Sequence, residues 1–309
     1  MQSRFPWSLS AVLIIVAAAI IARAEDPEVA ARAAEFRVDS ELVLVPVSVV
    51  NRMNRVILGL AARDFTVSED GAPQQVLAVS RWDVPASIGV VLDTSGSMKS
   101  GFRRALAAVQ TLLHENGDED EAFLLSFADS PRLETPFSNN SWEIPEKLLW
   151  ARPRGATALF DGVYTPLVEM RQATNMHKAL VVITDGGDNH SRNSFKELLS
   201  TIREADVQLF AVAIRRDPHD SEEQRGRLQL EQLANETGGH LVIADSDAEL
   251  PRAVAEINEL IRNQYLLSYR PSIRSRDGKW HRVRVGLQPP WKASLYRVHS
   301  KNGYYALER

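Results

Sequence analysis

One pattern repeats between residues 87 and 262 and narrows the fold sharply: a short unbroken apolar run, then a stretch where apolar residues recur every three or four positions. The runs are SIGVVL, AFLLSF, ALVVIT, VQLFAVAI and HLVIA. A strand with one wet face alternates apolar and polar residues, whereas a strand buried on both faces reads as continuous. The stretches between them read as helices. Phe102, Leu106, Val109 and Leu113 share one face of a helix over 102–114, with Gly117 as its stop. ALFDGVYTPLVEMR is a helix disturbed by Pro166, and Ser194-Phe195-Lys196-Glu197 is a capping box that opens another. Further helices are predicted near 226–236 and from about 247 to 262, and PRLETPF reads as a short edge strand. Strands alternating with helices predict an α/β unit, 87–262, with a doubly wound, mostly parallel sheet covered on both faces.

The flanks read differently. In residues 36–82, ELVLVPVSVV is rich in β-branched residues, and DFTVSEDGAPQQVLAVS sets Asp70-Gly71 between two strand-like runs, a hairpin signal. Pro46 predicts an edge strand or a bulge, because proline cannot donate to a ladder. Residues 264–309 return to strand character with YLLSY, WHRVRVGL and SLYRV, and with Asp277-Gly278 as a turn. Each flank alone has too few strands for a stable sheet. The economical expectation is one small β-sandwich built from both flanks, with the αβ unit inserted.

Residues 1–24 read as an address. Arg4 and the free amine make a positive start, Leu9 to Ile21 is apolar, and Ala22-Arg23-Ala24 fits the small-x-small rule, so a signal peptide cleaved after Ala24 is expected. The apolar run is shorter than the roughly 20 residues a spanning helix needs, so no stable membrane insertion is expected after cleavage. A retained N-terminal anchor is the alternative to a secreted or periplasmic protein. With no cysteine in the chain, disulfides, thiolate metal sites and a cysteine nucleophile are excluded. Losing Arg4 and Arg23 takes the formal charge from −4 to −6, which gives no reason to expect nucleic-acid binding.

The stretch VVLDTSGSM leads from a buried strand straight into Asp93, Ser95 and Ser97. Such oxygens hold a metal, act on a scissile peptide, or merely cap the next helix. In an open parallel sheet, ligands collect outside the carboxyl ends of the strands. Asp185 lies at such an end, after ALVVIT and at the start of DGGDN, and Thr157 in RGATALFDG opens a helix that reaches the same rim. An all-oxygen set without His or Cys calls for a hard cation, and few carboxylates with several hydroxyls suit Mg²⁺, with Mn²⁺ or Ca²⁺ as alternatives. Two carboxylates at most neutralise a divalent ion. If one acts through water, the ion keeps positive charge and an open position that favours an anionic donor from outside.

D-T-S-G-S at 93–97, the threonine of GATALFDG and the aspartate of ITDGGDN resemble the metal-ion-dependent adhesion site of von Willebrand factor type A (VWA) domains. The resemblance covers about 87–262. The flanks, with LAARDFTVSEDGAPQQVLAVSR and NQYLLSYRP, look like secreted bacterial relatives of that domain. It implies a Rossmann-like VWA domain in which Asp93, Ser95, Ser97 and Thr157 are metal ligands and Asp185 coordinates directly or through water. It also implies a non-enzymatic, adhesion-type protein whose metal captures an Asp or Glu carboxylate of a protein partner. Asp188, Asn189 and His190 are candidate partner contacts, the alternative being a polar loop.

Rival readings stay open at this point. In one, the metal only stabilises a scaffold component. In another the protein is a hydrolase, but DTSG lacks the second loop and all-β body of an aspartic protease, and Ser95 and Ser97 lack a G-x-S-x-G elbow. Asp161 is either a support for the metal ligands or an acid favourably placed in a helix's first turn. Asp118-Glu119-Asp120-Glu121 lacks the glycine and spacing of a calcium loop and is expected to be a solvated turn. Arg282 and Arg284 alternate with valines, as on the outer face of a strand.

Overall fold

Every residue of the strand formed by SIGVVL and its neighbours is buried, as an unbroken apolar run requires. The computed structural model of the chain describes residues 42–306 apart from 116, 140–143, 274–276 and 292–293. The signal-peptide reading of 1–24 lies outside them. The chain first forms β1 (Val43–Asn51), β2 (Phe65–Glu69), β3 (Ala72–Gln74) and β4 (Val76–Arg81). The αβ unit then runs through β5 (Ala86–Asp93), α1 (Phe102–His114), β6 (Glu121–Phe127), β7 (Pro131–Ser138), α2 (Glu146–Leu149) and α3 (Leu159–Glu169). It continues with β8 (His177–Thr184), α4 (Phe195–Glu204), β9 (Gln208–Ile214), α5 (Ser221–Thr237), β10 (Leu241–Ala244) and α6 (Leu250–Arg262). Last come β11 (Tyr265–Tyr269), β12 (Trp280–Leu287), β13 (Tyr296–Ser300) and β14 (Gly303–Tyr305).

The central sheet has the order β10-β9-β8-β5-β6-β7 and is parallel except for the edge strand β7. Alternate residues of its strands feed two cores. On one face Ile88, Val90 and Leu92 pack with Phe102, Leu106 and Val109 of α1 and with Val254, Ile257 and Ile261 of α6. On the other, Val91, Phe123 and Leu125 pack with Leu159 and Val163 of α3, Leu198 and Ile202 of α4, and Leu230 and Leu233 of α5. Burying each such side chain contributes about 1.5–3 kcal/mol.

Both flanks contribute to two antiparallel sheets, β13-β1-β11-β4 and β14-β12-β2-β3. Val45, Val47 and Val49 of β1 and Tyr265, Leu267 and Tyr269 of β11 meet Phe65, Val67 and Val283 of the other sheet in one core. β2 and β3 are joined by Asp70 and Gly71 with φ of 49° and 87°, the two positive values that a tight two-residue hairpin turn demands.

Three local expectations need correction. Pro46 sits in a central strand of its sheet, not an edge strand: β1 pairs with β11 over 43–47 and with β13 over 47–51, so at Pro46 the strand has a neighbour on one side only. The acidic run at 118–121 is not simply a solvated turn. Asp120 is 2% exposed, accepts the Ala86 N–H at 2.7 Å and pairs with Arg262 at 2.7 Å. Its sequence neighbours masked it, since a run of acids reads as surface. Finally, α5 starts at Ser221 rather than near 226, because the Asp220 carboxylate accepts the Glu222 and Glu223 N–H groups at 2.7 and 3.1 Å.

His281 clasps two turns of the sandwich. Its Nδ1 lies 2.8 Å from Asp70 Oδ2 and its Nε2 3.3 Å from Asp277 Oδ1, with Glu69 Oε1 3.9 Å from Nδ1. Burial pulls its pKa down, but the hydrogen bonds to Asp70 and Asp277 and their charges outweigh it, so the pKa lies above the ordinary 6.5. Stability from the charged imidazole is therefore full below 6.5 and is lost as pH rises through the higher folded value. The Arg282 N–H holds the Asp70 carboxyl below its ordinary 3.8, so that carboxylate's contribution is lost only in acid. Thermal unfolding followed from pH 6.5 to about 8 should show a fall in Tm that His281→Gln largely removes. A chain truncated after Arg262 should lose the fold of residues 42–82 as well, because β1 then loses both its neighbours and β2 and β3 remain a lone hairpin. Well-dispersed amide resonances from 42–82 in that truncated chain would overturn this expectation.

Candidate metal centre

Asp93 is the last residue of β5 and is wholly buried. Its Oδ1 accepts the Ser95 N–H at 2.8 Å, which turns the chain sharply off the strand, and its Oδ2 accepts the Thr184 hydroxyl of β8 at 2.5 Å. Between them the N–H and hydroxyl of Thr94 both donate to Phe127 O, at 2.7 and 3.0 Å, which moors the loop to the end of β6. Ser95 Oγ and Ser97 Oγ share a hydrogen bond of 3.0 Å, and Ser97 Oγ donates to Asp185 Oδ1 at 2.6 Å. The loop passes through a single 3₁₀ turn, Gly96–Lys99, before α1 starts. The alternation of acid and hydroxyls at 93, 95 and 97 thus puts all three on one side of a curled loop.

The third loop is brought in by Gly155. Its φ of +90° is open to glycine, its carbonyl accepts the Gly96 N–H at 3.1 Å, and a methyl group there would lie 2.6 Å from Asp129 Oδ2. Asp129 Oδ1 in turn accepts the Ala156 N–H at 2.7 Å. Thr157 is clamped by Asn189, whose Oδ1 accepts its N–H at 2.8 Å and whose own N–H donates to Thr157 O at 3.0 Å. A methyl group on Gly186 would lie 3.6 Å from Thr157 Oγ1 and 3.9 Å from Ser97 Oγ. Asp93, Ser95, Ser97, Thr157 and Asp185 therefore meet on one rim, outside the carboxyl ends of β5 and β8.

Three of the other sequence-derived candidates, Asp188, Asn189 and Asp161, have internal duties. Asp188 Oδ1 accepts the Phe160 N–H at 3.2 Å and the Ser191 hydroxyl. Asn189 Nδ2 donates to Glu222 Oε1 at 2.7 Å, so this side chain ties its own loop to the Thr157 loop and to the first turn of α5. His190 is exposed. Asp161 is buried and accepts the Arg192 and Asn193 N–H groups, both at 3.0 Å, which anchors the loop beyond β8.

Sequence reasoning missed Thr184 and Arg216. Arg216 Nε donates to Asp185 Oδ2 at 2.8 Å, and its Nη1 donates to Asp247 Oδ1. The available signal was position: Arg216 follows VQLFAVAI by two residues and so belongs to the same rim. Burial drives the Asp93 pKa up to about 6; hydrogen bonds from Ser95 and Thr184 oppose the rise, and the charge of Asp185 adds to it. For Arg216, burial works against the charge, but Asp185 and Asp247 outweigh it and raise the pKa. A buried carboxylate that burial and a neighbouring acid both destabilise is what a cation would relieve, and the five candidate ligands all offer oxygen. The donor set fits a hard divalent cation.

The von Willebrand factor type A domain profile matches residues 87–256. No curated protein sequence matches the chain. A von Willebrand factor type A structure from Catenulispora acidiphila superposes with a TM-score of 0.51 at 12% identity, over 88% of this chain and 75% of that one. Proximal thread matrix protein 1 from the mussel byssus, solved with a zinc-occupied MIDAS motif, gives a TM-score of 0.51 at 17% identity, over 63% of this chain and 50% of that one. BatB from Bacteroides thetaiotaomicron gives 0.45 at 16% identity, over 57% of this chain and 98% of that one. At such identities the likeness to the first two is one of fold. The sheet order, the rim of oxygens and a profile match over more than half of the 309 residues together make this chain a member of the von Willebrand factor type A family.

Proposed function

We propose that the protein is an exported, non-enzymatic binding protein whose rim holds a divalent cation, Mg²⁺ with Mn²⁺ or Ca²⁺ as alternatives, and through it an acidic side chain of a protein partner. In this reading Asp93, Ser95, Ser97 and Thr157 are ligands, and Asp185 coordinates directly or through water. The observation that carries it is the continuous hydrogen-bonded chain Ser95–Ser97–Asp185, with Asp93 fastened beside it through Thr184. These residues come from two segments far apart in sequence, 93–97 and 184–185, and folding has spent a buried acid on bringing them together. That the byssus protein of this fold has zinc in its MIDAS motif supports a divalent ion here.

A cation bound there supplies positive charge and a position open to an anionic donor. The chain's own residues do the rest. Neutral hydroxyls keep the ligand charge low, and the exposed Ser97, Asn189 and His190 border the approach. One carboxylate contact in water is weak, so specificity rests on these bordering loops. Export rests on the basic start, the apolar run and the small-x-small site at 22–24. Among the described residues no helix is long and apolar enough to cross a membrane.

Calorimetry on the mature protein should show about one Mg²⁺ or Mn²⁺ bound per chain. Asp93→Ala should abolish it and Thr157→Ala weaken it less, since only a neutral donor is lost; unchanged affinity in Asp93→Ala would sink the assignment. A partner captured from the native secretome in Mg²⁺ should be released by EDTA while the circular dichroism spectrum persists. Capture that survives excess EDTA would favour the scaffold reading. Mass spectrometry of the exported protein should find its first residue at Glu25; an intact Met1 terminus would point to a retained anchor.

A further inference from the structure

Arg216 is the rim residue that a simple metal cage does not need. Asp185 divides its carboxylate: Oδ1 accepts from Ser97 at 2.6 Å, and Oδ2 accepts from Arg216 Nε at 2.8 Å. The Asp185 side chain has no solvent exposure and the Arg216 side chain a quarter, so water screens this pair little. The guanidinium is held between two acids, Asp185 at Nε and Asp247 at Nη1, in room that Gly101 leaves, while Glu223 Oε2 fixes the backbone beneath it by accepting the Arg216 and Asp217 main-chain N–H groups at 3.1 and 2.8 Å. A methyl group on Gly101 would sit 2.1 Å from Asp247 Oδ1 and 2.5 Å from Arg216 Nη2. Nη2 itself is buried and has no hydrogen-bond partner among the described residues, so the arm carries more donor capacity than its two acids use.

From this we infer that Arg216 is a built-in counter-cation of the rim: it competes with the divalent ion for the charge of Asp185 and so sets the ion's affinity below what the five oxygens alone would give. The inference rests on the reading of the rim as a divalent-cation site. Of the two carboxylates that face the ion, one is shared with a fixed positive charge one carboxylate away. Like charges at that separation, in a partly buried site, repel strongly. Asp247 offsets part of that charge, but it bonds Nη1 while Nε bonds Asp185, so the delocalised guanidinium lies between Asp247 and the rim and is the nearer of the two charges to Asp185. The same charge leaves a bound ion less neutralised and thereby a stronger attractor for an incoming carboxylate. Arg216 thus trades ion affinity for anion affinity, and it also selects which oxygen of Asp185 is offered to the site.

A residue that merely braces the loops would leave ion affinity unchanged or weaker when removed. A counter-cation makes the opposite prediction. Titration of the mature full-length protein with Mg²⁺ alone, by calorimetry, should show Arg216→Met binding at least about tenfold tighter than wild type, with Arg216→Lys returning towards wild type because it restores the charge. Should Arg216→Met fold poorly with Asp247 left unpaired, the charge-balanced pair Arg216→Met/Asp247→Asn gives the same direction of change. Tight binding by Arg216→Met where wild type binds weakly or not at all supports the inference. Equal or weaker binding by both Met variants, with wild type binding, overturns the counter-cation and leaves the metal site standing. No Mg²⁺ or Mn²⁺ binding by any of the four proteins overturns both.

Discussion

Parallel pairing of β5 with β6 and β8 is the constraint on which the rest of the structure depends. Parallel strands end together, so the residues that follow each apolar run are delivered to one edge whatever their identity. Burial of β5 on both faces then places Asp93, the first polar group past the apolar run, where water does not reach it. Its carboxylate must be satisfied from neighbouring loops, and it is, by Ser95 and Thr184. The rim is thus a result of sheet geometry first and of side-chain chemistry second. Hydroxyls at 95 and 97 become neighbours of Asp185 because the strands that carry them are one hydrogen-bonded spacing apart.

Much of this was legible in the sequence because the signals were periodic. Apolar runs without alternation specified strands with two covered faces, and the helix over 102–114 lies where its three- and four-residue spacing puts it. The capping box at Ser194 is formed with both reciprocal bonds, and Asp70-Gly71 makes the turn its residues favour. The five rim oxygens could be gathered because parallel topology says where loops go, even with no view of a side chain.

What the sequence hid was polar structure whose partners are distant. Asp120 looks like one of four surface acids, yet it holds the start of β5 and the end of α6, partners 34 and more than a hundred residues away. Asp188 and Asn189 read as candidate partner contacts, and nothing in the sequence signals that their side chains also tie neighbouring segments together. Arg216 has no local motif at all. Its role appears only when the ends of β8 and β9 lie side by side. Polar residues of this kind carry no periodicity, so only the fold reveals what each one touches.

The interleaving of the two flanks has a mechanical consequence. β1 and β11 are antiparallel, with Val43 opposite Tyr269 and Val47 opposite Tyr265. The αβ unit joins β11 at its Tyr265 end, whereas Val43 is the far end of β1. Tension between the start of β1 and the αβ unit therefore pulls the two strands lengthwise in opposite senses. Five residue pairs are loaded together in shear and none can be peeled open ahead of the others. A force arriving at the rim would reach a joint that fails all at once or holds, and the valines and tyrosines packed beneath it raise the threshold at which it fails.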